Sequence, residues 1–122
     1  MTAREFLDNT VAHYTSKNRC VNEDGLCVYA STSTSEGCAI GRWMNPEIAK
    51  EIDKGAATVD INIREVIKEY PGCLPEFMNR YSVDFLMAVQ DLHDDPDFWN
   101  ERGLSKSGQA EYNKIIRYFD LY

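Results

Sequence analysis

Apolar residues recur along this chain mainly at helical spacing. Phe6, Leu7, Val11 and Tyr14 fall on one helical face behind Thr2-Ala-Arg-Glu5, which has capping-box spacing, so residues 3–17 are predicted to form an amphipathic helix covering a small sheet. Ile63, Val66, Ile67 and Tyr70 repeat at i, i+3, i+4 and i+7, and Pro71-Gly72 stops that helix. The most strongly amphipathic segment is capped by Ser82, carries Asp84 in its first turn, lines one face with Phe85, Leu86, Val89 and Leu92, and ends at His93-Asp94. Ser105 caps a last helix whose Ile115, Ile116 and Phe119 can pack inward.

Cap and proline signals fill in the shorter elements. Asn45-Pro46 reads as an N-cap followed by a first-turn proline, opening a helix to about Asp53 that Gly55 ends. Ala56 to Asn62 reads as a linker, and Pro75 starts a further turn through Arg80. Asp95-Pro96 opens a single turn that presents Phe98 and Trp99 before Gly103 closes it. The clearest strand is Leu26-Cys-Val-Tyr-Ala30, entered through the turn-forming Asn22-Glu-Asp-Gly25 and left through a Ser/Thr loop from Ser31 to Ser35. Gly37-Cys-Ala-Ile-Gly41 suits either a return strand or a helix start, and the preferred reading is a short hairpin running directly into helix. The expected fold is a mainly helical α+β single domain over 1–122, its short β-hairpin packed by the N-terminal helix and the Ser82 helix.

Composition changes this picture little. At 43% hydrophobic, 27% charged and 11% aromatic, the 122 residues make an ordinary globular chain. A chain of this length buries roughly two thirds of its unfolded surface without help from metal or disulfide. Its apolar runs are too short for a membrane span or a signal-peptide core, so a soluble, cytoplasmic protein is expected. The net charge of −7, from 20 acidic against 13 basic residues, repels phosphate backbones and argues against direct nucleic-acid binding. An acidic surface can dock on a basic patch of another protein, although solvation alone also explains it.

Four groupings could carry chemistry. Cys20, Cys27, Cys38 and Cys73 are separated by six, ten and 34 residues, so no C-x-x-C pair announces zinc or redox chemistry, and free, buried, reduced thiols are the simpler reading. Cys27, Cys38, His93 and Asp94 could assemble a zinc site through tertiary folding alone; packing of the two cysteines across the hairpin, with His93 capping the carbonyl end of its helix, competes with it. Cys38 could instead act as a nucleophile with His93 as base and Asp94 or Asp91 orienting it, since Arg42 lies four residues on and a helix start is close. Asp91, Asp94, Asp95 and Asp97 lack the alternation and glycine of a calcium loop and read as an exposed helix junction. Tyr29, Arg42, Trp43 and Trp99 form a candidate aromatic and basic binding surface, against which stands core packing of both tryptophans.

The order Cys27-x-Tyr29, Gly37-Cys-Ala-Ile-Gly41, Leu86 to Gln90 running into Leu92-His-Asp94, then Trp99, Gly103-Leu-Ser105 and Ile115 to Leu121 resembles a family of small uncharacterised bacterial and phage proteins. That family shows a C-x-Y strand, a C-A-I-G segment, an L-Q-x-x-H-D helix end and a W-x-x-x-G-L-S lead into the last helix. Glu36-Gly37, Arg42-Trp43-Met44 and the middle insert Asn45 to Gly72 depart from it. The resemblance implies a shared site at Cys38, His93 and Asp94, if there is one, and a host-takeover or anti-defence setting. The expected function is therefore a non-enzymatic phage or mobile-element accessory protein that binds a host protein or a small signalling ligand, with no metal and no cofactor. The alternative is a small thiol-dependent hydrolase or transferase using Cys38 and His93.

Overall fold

The computed structural model describes residues 1–17, 38–55 and 63–121, so the expected strand Leu26 to Ala30, the Ser/Thr loop after it and the linker from 56 lie outside the described residues. Five α-helices are described: α1 (Ala3–His13), α2 (Pro46–Gly55), α3 (Ile63–Glu69), α4 (Val83–Asp94) and α5 (Lys106–Tyr118). They are joined by 3₁₀ turns at Gly41–Trp43, Glu76–Arg80 and Pro96–Phe98, and by an antiparallel pair of two-residue strands, β1 (Trp99–Asn100) and β2 (Gly103–Leu104). No described helix is long and apolar enough to cross a membrane.

The caps read from sequence are made. Thr2 Oγ1 accepts from Glu5 N at 3.1 Å while Thr2 N donates to Glu5 Oε1 at 3.1 Å, a complete capping box. Asn45 Oδ1 accepts from Glu47 N at 2.9 Å, Ser82 Oγ from Phe85 N at 3.1 Å, Asp95 Oδ1 from Asp97 N at 2.9 Å and Ser105 Oγ from Gly108 N at 3.1 Å. Each satisfies a helix-end N–H that has no partner within its own helix, and such caps are worth about 1 kcal/mol apiece.

Two boundaries differ from expectation for tertiary reasons. α1 stops at His13 because Tyr14 turns extended, which places its ring in the core and lets Ser16 N donate to Asn100 O at 2.9 Å. The hairpin among the described residues is Trp99 to Leu104, paired Trp99 with Leu104 and Asn100 with Gly103, not the stretch leading to Gly41. Residues 38–40 form a turn that winds into the 3₁₀ segment. The tight β1–β2 connection uses Asn100 Oδ1, which accepts from Arg102 N at 2.9 Å, and Gly103 at φ 135°, a conformation that favours glycine. α1 and α5 pack against this hairpin, and Trp99 Nε1 ties it to α4 by donating to Leu92 O at 2.8 Å.

The core is knitted in part by aromatic rings from α1, α4, the 41–43 turn and the segments that follow the 76–80 turn and α5. Phe6 of α1 stacks near Trp43 (6.0 Å), Tyr81 (5.3 Å) and Phe85 (6.2 Å), and Phe85 meets Phe119 at 5.4 Å. The Phe85–Phe119 pair joins the start of α4 to the end of α5, so these two helices run antiparallel.

Gly108 is where α5 comes closest to its neighbour. A Cβ there would overlap the Phe98 carbonyl oxygen and sit 2.9 Å from its carbon, the same carbonyl that accepts from Ser105 N at 2.8 Å. In an unhindered helix Gly→Ala gains about 1 kcal/mol. Gly108→Ala is expected instead to cost about 1–3 kcal/mol through backbone overlap, read as a lower urea midpoint with an unchanged slope. A raised midpoint would mean that α5 does not seat on this turn.

Candidate functional site

Cys38 opens the turn that carries the predicted site. Its Sγ accepts from Gly41 N at 3.3 Å and its carbonyl from Arg42 N at 3.0 Å, so the thiol caps a single helical turn. Ile40 N, in the same turn, donates to Gln90 Oε1 at 3.3 Å. Gln90 Nε2 then donates to Asp94 Oδ1 at 2.8 Å, the oxygen that also meets His93 Nδ1 at 2.8 Å. The Tyr14 ring and the imidazole pack edge to face, with centroids 4.7 Å apart.

The structure therefore brings His93 and Asp94 into contact and attaches the Cys38 turn to them through Gln90. Cys38 and His93 are each 0% exposed. His93 is a core residue in the last turn of α4, bonded to the neighbouring Asp94 carboxylate. Among the described residues no three His, Cys, Asp or Glu side chains gather as a metal would require. Cys73 is likewise buried, and loss of hydration pushes its thiol above the ordinary value. Gln90 was missed from sequence, although a Gln four residues before an Asp on one helix is a recognisable pairing.

The aromatic and basic grouping separates. Tyr29 lies outside the described residues, and Trp99 is 5% exposed and belongs to the core. Arg42 and Trp43 are half-buried and stacked, the guanidinium carbon 4.8 Å from the indole and 5.7 Å from the Tyr14 ring, with Arg42 Nη2 donating to Asn9 Oδ1. Trp43 packs edge-on to Phe77 at 5.6 Å, and its indole N–H is buried with no hydrogen-bond partner among the described residues. This stack joins α1 to the 3₁₀ turn and offers little free aromatic surface.

A different surface is open. Asp84, Met87, Ala88 and Asp91 of α4 and Glu111, Lys114, Ile115 and Tyr118 of α5, with Phe119, line a groove of about 360 Å³. Both helices supply a stripe at i, i+3, i+4 and i+7, the spacing at which side chains share a helix face. The floor is apolar, Tyr118 stands 79% exposed at one end, and the rim is mostly acidic. Asp84 pairs with Arg64 at 2.7 Å and Glu111 meets Lys114 at 3.8 Å. Asp91 has no cationic partner among the described residues, and its carboxyl is held above the ordinary value by partial burial, then by repulsion from Asp94 and Glu111. The stripe was legible in sequence as a second, weaker repeat beside Phe85, Leu86, Val89 and Leu92.

A carboxyl whose folded value is raised holds its proton more tightly in the native than in the unfolded state, so its contribution to stability is lost as pH rises through the folded value. At neutral pH the Asp91 charge therefore opposes folding. Asp91→Asn is expected to raise the thermal midpoint at pH 7, with the gain disappearing below the ordinary carboxylate range; a lowered midpoint at pH 7 would contradict this reading. No protein-family model matches the chain, and neither a curated protein nor a solved structure matches it.

Proposed function

We propose that this is a non-enzymatic binding protein that docks a partner protein along the α4–α5 groove. The observation that carries the reading is the groove itself, an apolar floor flanked by acidic side chains and ended by the 79% exposed Tyr118. Tyrosine is enriched where binding energy concentrates, because it brings a large apolar face and a polar tip at low entropic cost. A setting as a phage or mobile-element accessory acting on a host protein, with a host-takeover or anti-defence role, rests on the family resemblance alone.

Burial weighs against the thiol-enzyme alternative. A nucleophile and its base must reach the reacting atoms of a substrate, and Cys38 and His93 have no surface at which one could arrive. Their hydrogen bonds serve instead to hold the 38–43 turn on α4.

The test replaces Tyr118 by the photoreactive p-benzoylphenylalanine and irradiates cells expressing the protein. A discrete crosslinked protein at position 118, absent when the probe occupies the exposed Lys68 position on α3, is the expected result. Identical adducts at both positions, or none at 118, would overturn the reading.

A further inference from the structure

We infer that the occupant of the α4–α5 groove is a cationic amphipathic helix of a partner protein, an assignment that rests on the docking reading above and specifies it. The geometry is that of two antiparallel helices awaiting a third. Asp84 to Asp91 and Glu111 to Tyr118 each span eight residues, seven rises and so roughly 10 Å along a helix axis. A partner helix carrying apolar residues at i, i+3 or i+4 and i+7 covers the same length, and its ridge fits the trough over Met87, Ala88 and Ile115.

Charge selects among helices. Three carboxylates, Asp84, Asp91 and Glu111, border the floor against the single Lys114, which already neighbours Glu111. Among the described residues no cation answers the Asp91 charge, which lies within reach of Asp94 and Glu111. A lysine or arginine of the partner placed there relieves the repulsion between these carboxylates, while Tyr118 and Phe119 at the other end accept apolar or aromatic contacts. A second copy of this chain would bring the same acidic rim against itself in a molecule of net charge −7. Anionic lipid and nucleic acid are repelled for the same reason.

The test is an amide NMR titration of the full chain with three synthetic peptides of about 14 residues. One carries leucines on a single stripe among lysines and arginines, one has the same composition with the stripe scrambled, and one replaces every basic residue by Glu. The first peptide is expected to move resonances of Met87, Ala88, Asp91, Glu111, Ile115 and Tyr118, and Asp91→Lys is expected to weaken it about tenfold. Tyr118→Ala, which leaves every rim charge in place, is also expected to weaken it.

Four outcomes would overturn the inference: no binding of the first peptide, equal binding of the scrambled or acidic one, shifts centred elsewhere, or indifference to Asp91→Lys in a variant whose thermal midpoint is no lower than that of the unaltered protein. Groove resonances that move with protein concentration alone would assign the face to a second copy instead. A partner crosslinked at position 118, combined with no binding of the basic peptide, removes the cationic helix and leaves the docking reading standing.

Discussion

The buried amide of Gln90 is the interaction on which the rest of this structure depends. At 5% exposure it is tolerable only because its oxygen accepts from Ile40 N and its nitrogen donates to Asp94. An amide left unbonded at this depth would cost about 1–3 kcal/mol, and the Ile40 N–H would be orphaned with it. The pair of bonds fixes the Cys38 turn on α4 and places His93 inside. It also sets the rotation of α4 about its own axis. With Phe85, Leu86, Val89, Gln90 and His93 turned inward, Asp84, Met87, Ala88 and Asp91 must face the other way. The polar bridge in the core and the groove on the surface are two faces of one helix.

Around that helix the remaining elements are held by close approach. Phe6 and Phe85 gather the aromatic cluster, Trp99 bonds its indole to Leu92 O, and Gly108 lets α5 lie against the Phe98 carbonyl. At the chain ends, Arg4 Nη1 donates to Leu121 O at 3.1 Å and Tyr81 Oη to Met1 O at 2.6 Å, which ties both to the helical body. α5 is thereby fixed beside α4, and the groove between them is a feature of a packed scaffold rather than of a loop.

Much of the helical skeleton was legible because its signals are local. Thr2, Asn45, Ser82, Asp95 and Ser105 each announce a cap through their own side chains, and the structure makes every one of those bonds. The hairpin at Trp99 to Leu104 was missed because two-residue strands carry no alternation to read, and the pairing of Trp99 with Leu104 is decided by tertiary contact; the expected strand Leu26 to Ala30 lies outside the described residues. The candidate site was legible only in part. Adjacency in sequence put His93 beside Asp94, but nothing local reports that His93 and Cys38 lose all contact with solvent, because burial is settled by what packs over them. Asp91 stands among four acidic residues of a helix junction; the repulsion it meets emerges only when Glu111 arrives from α5.

The most direct test of this account is hydrogen exchange at the Ile40 amide, whose N–H depends on a side-chain oxygen rather than on any backbone ladder. In the native protein it is expected to exchange slowly, near the global rate. In Gln90→Leu, Ile40 should exchange fast while amides in the middle of α5, such as Ile115, remain protected. An Ile40 amide that is already fast in the unaltered protein, or still slow in Gln90→Leu, would contradict the claim that this one bridge fixes the turn on α4.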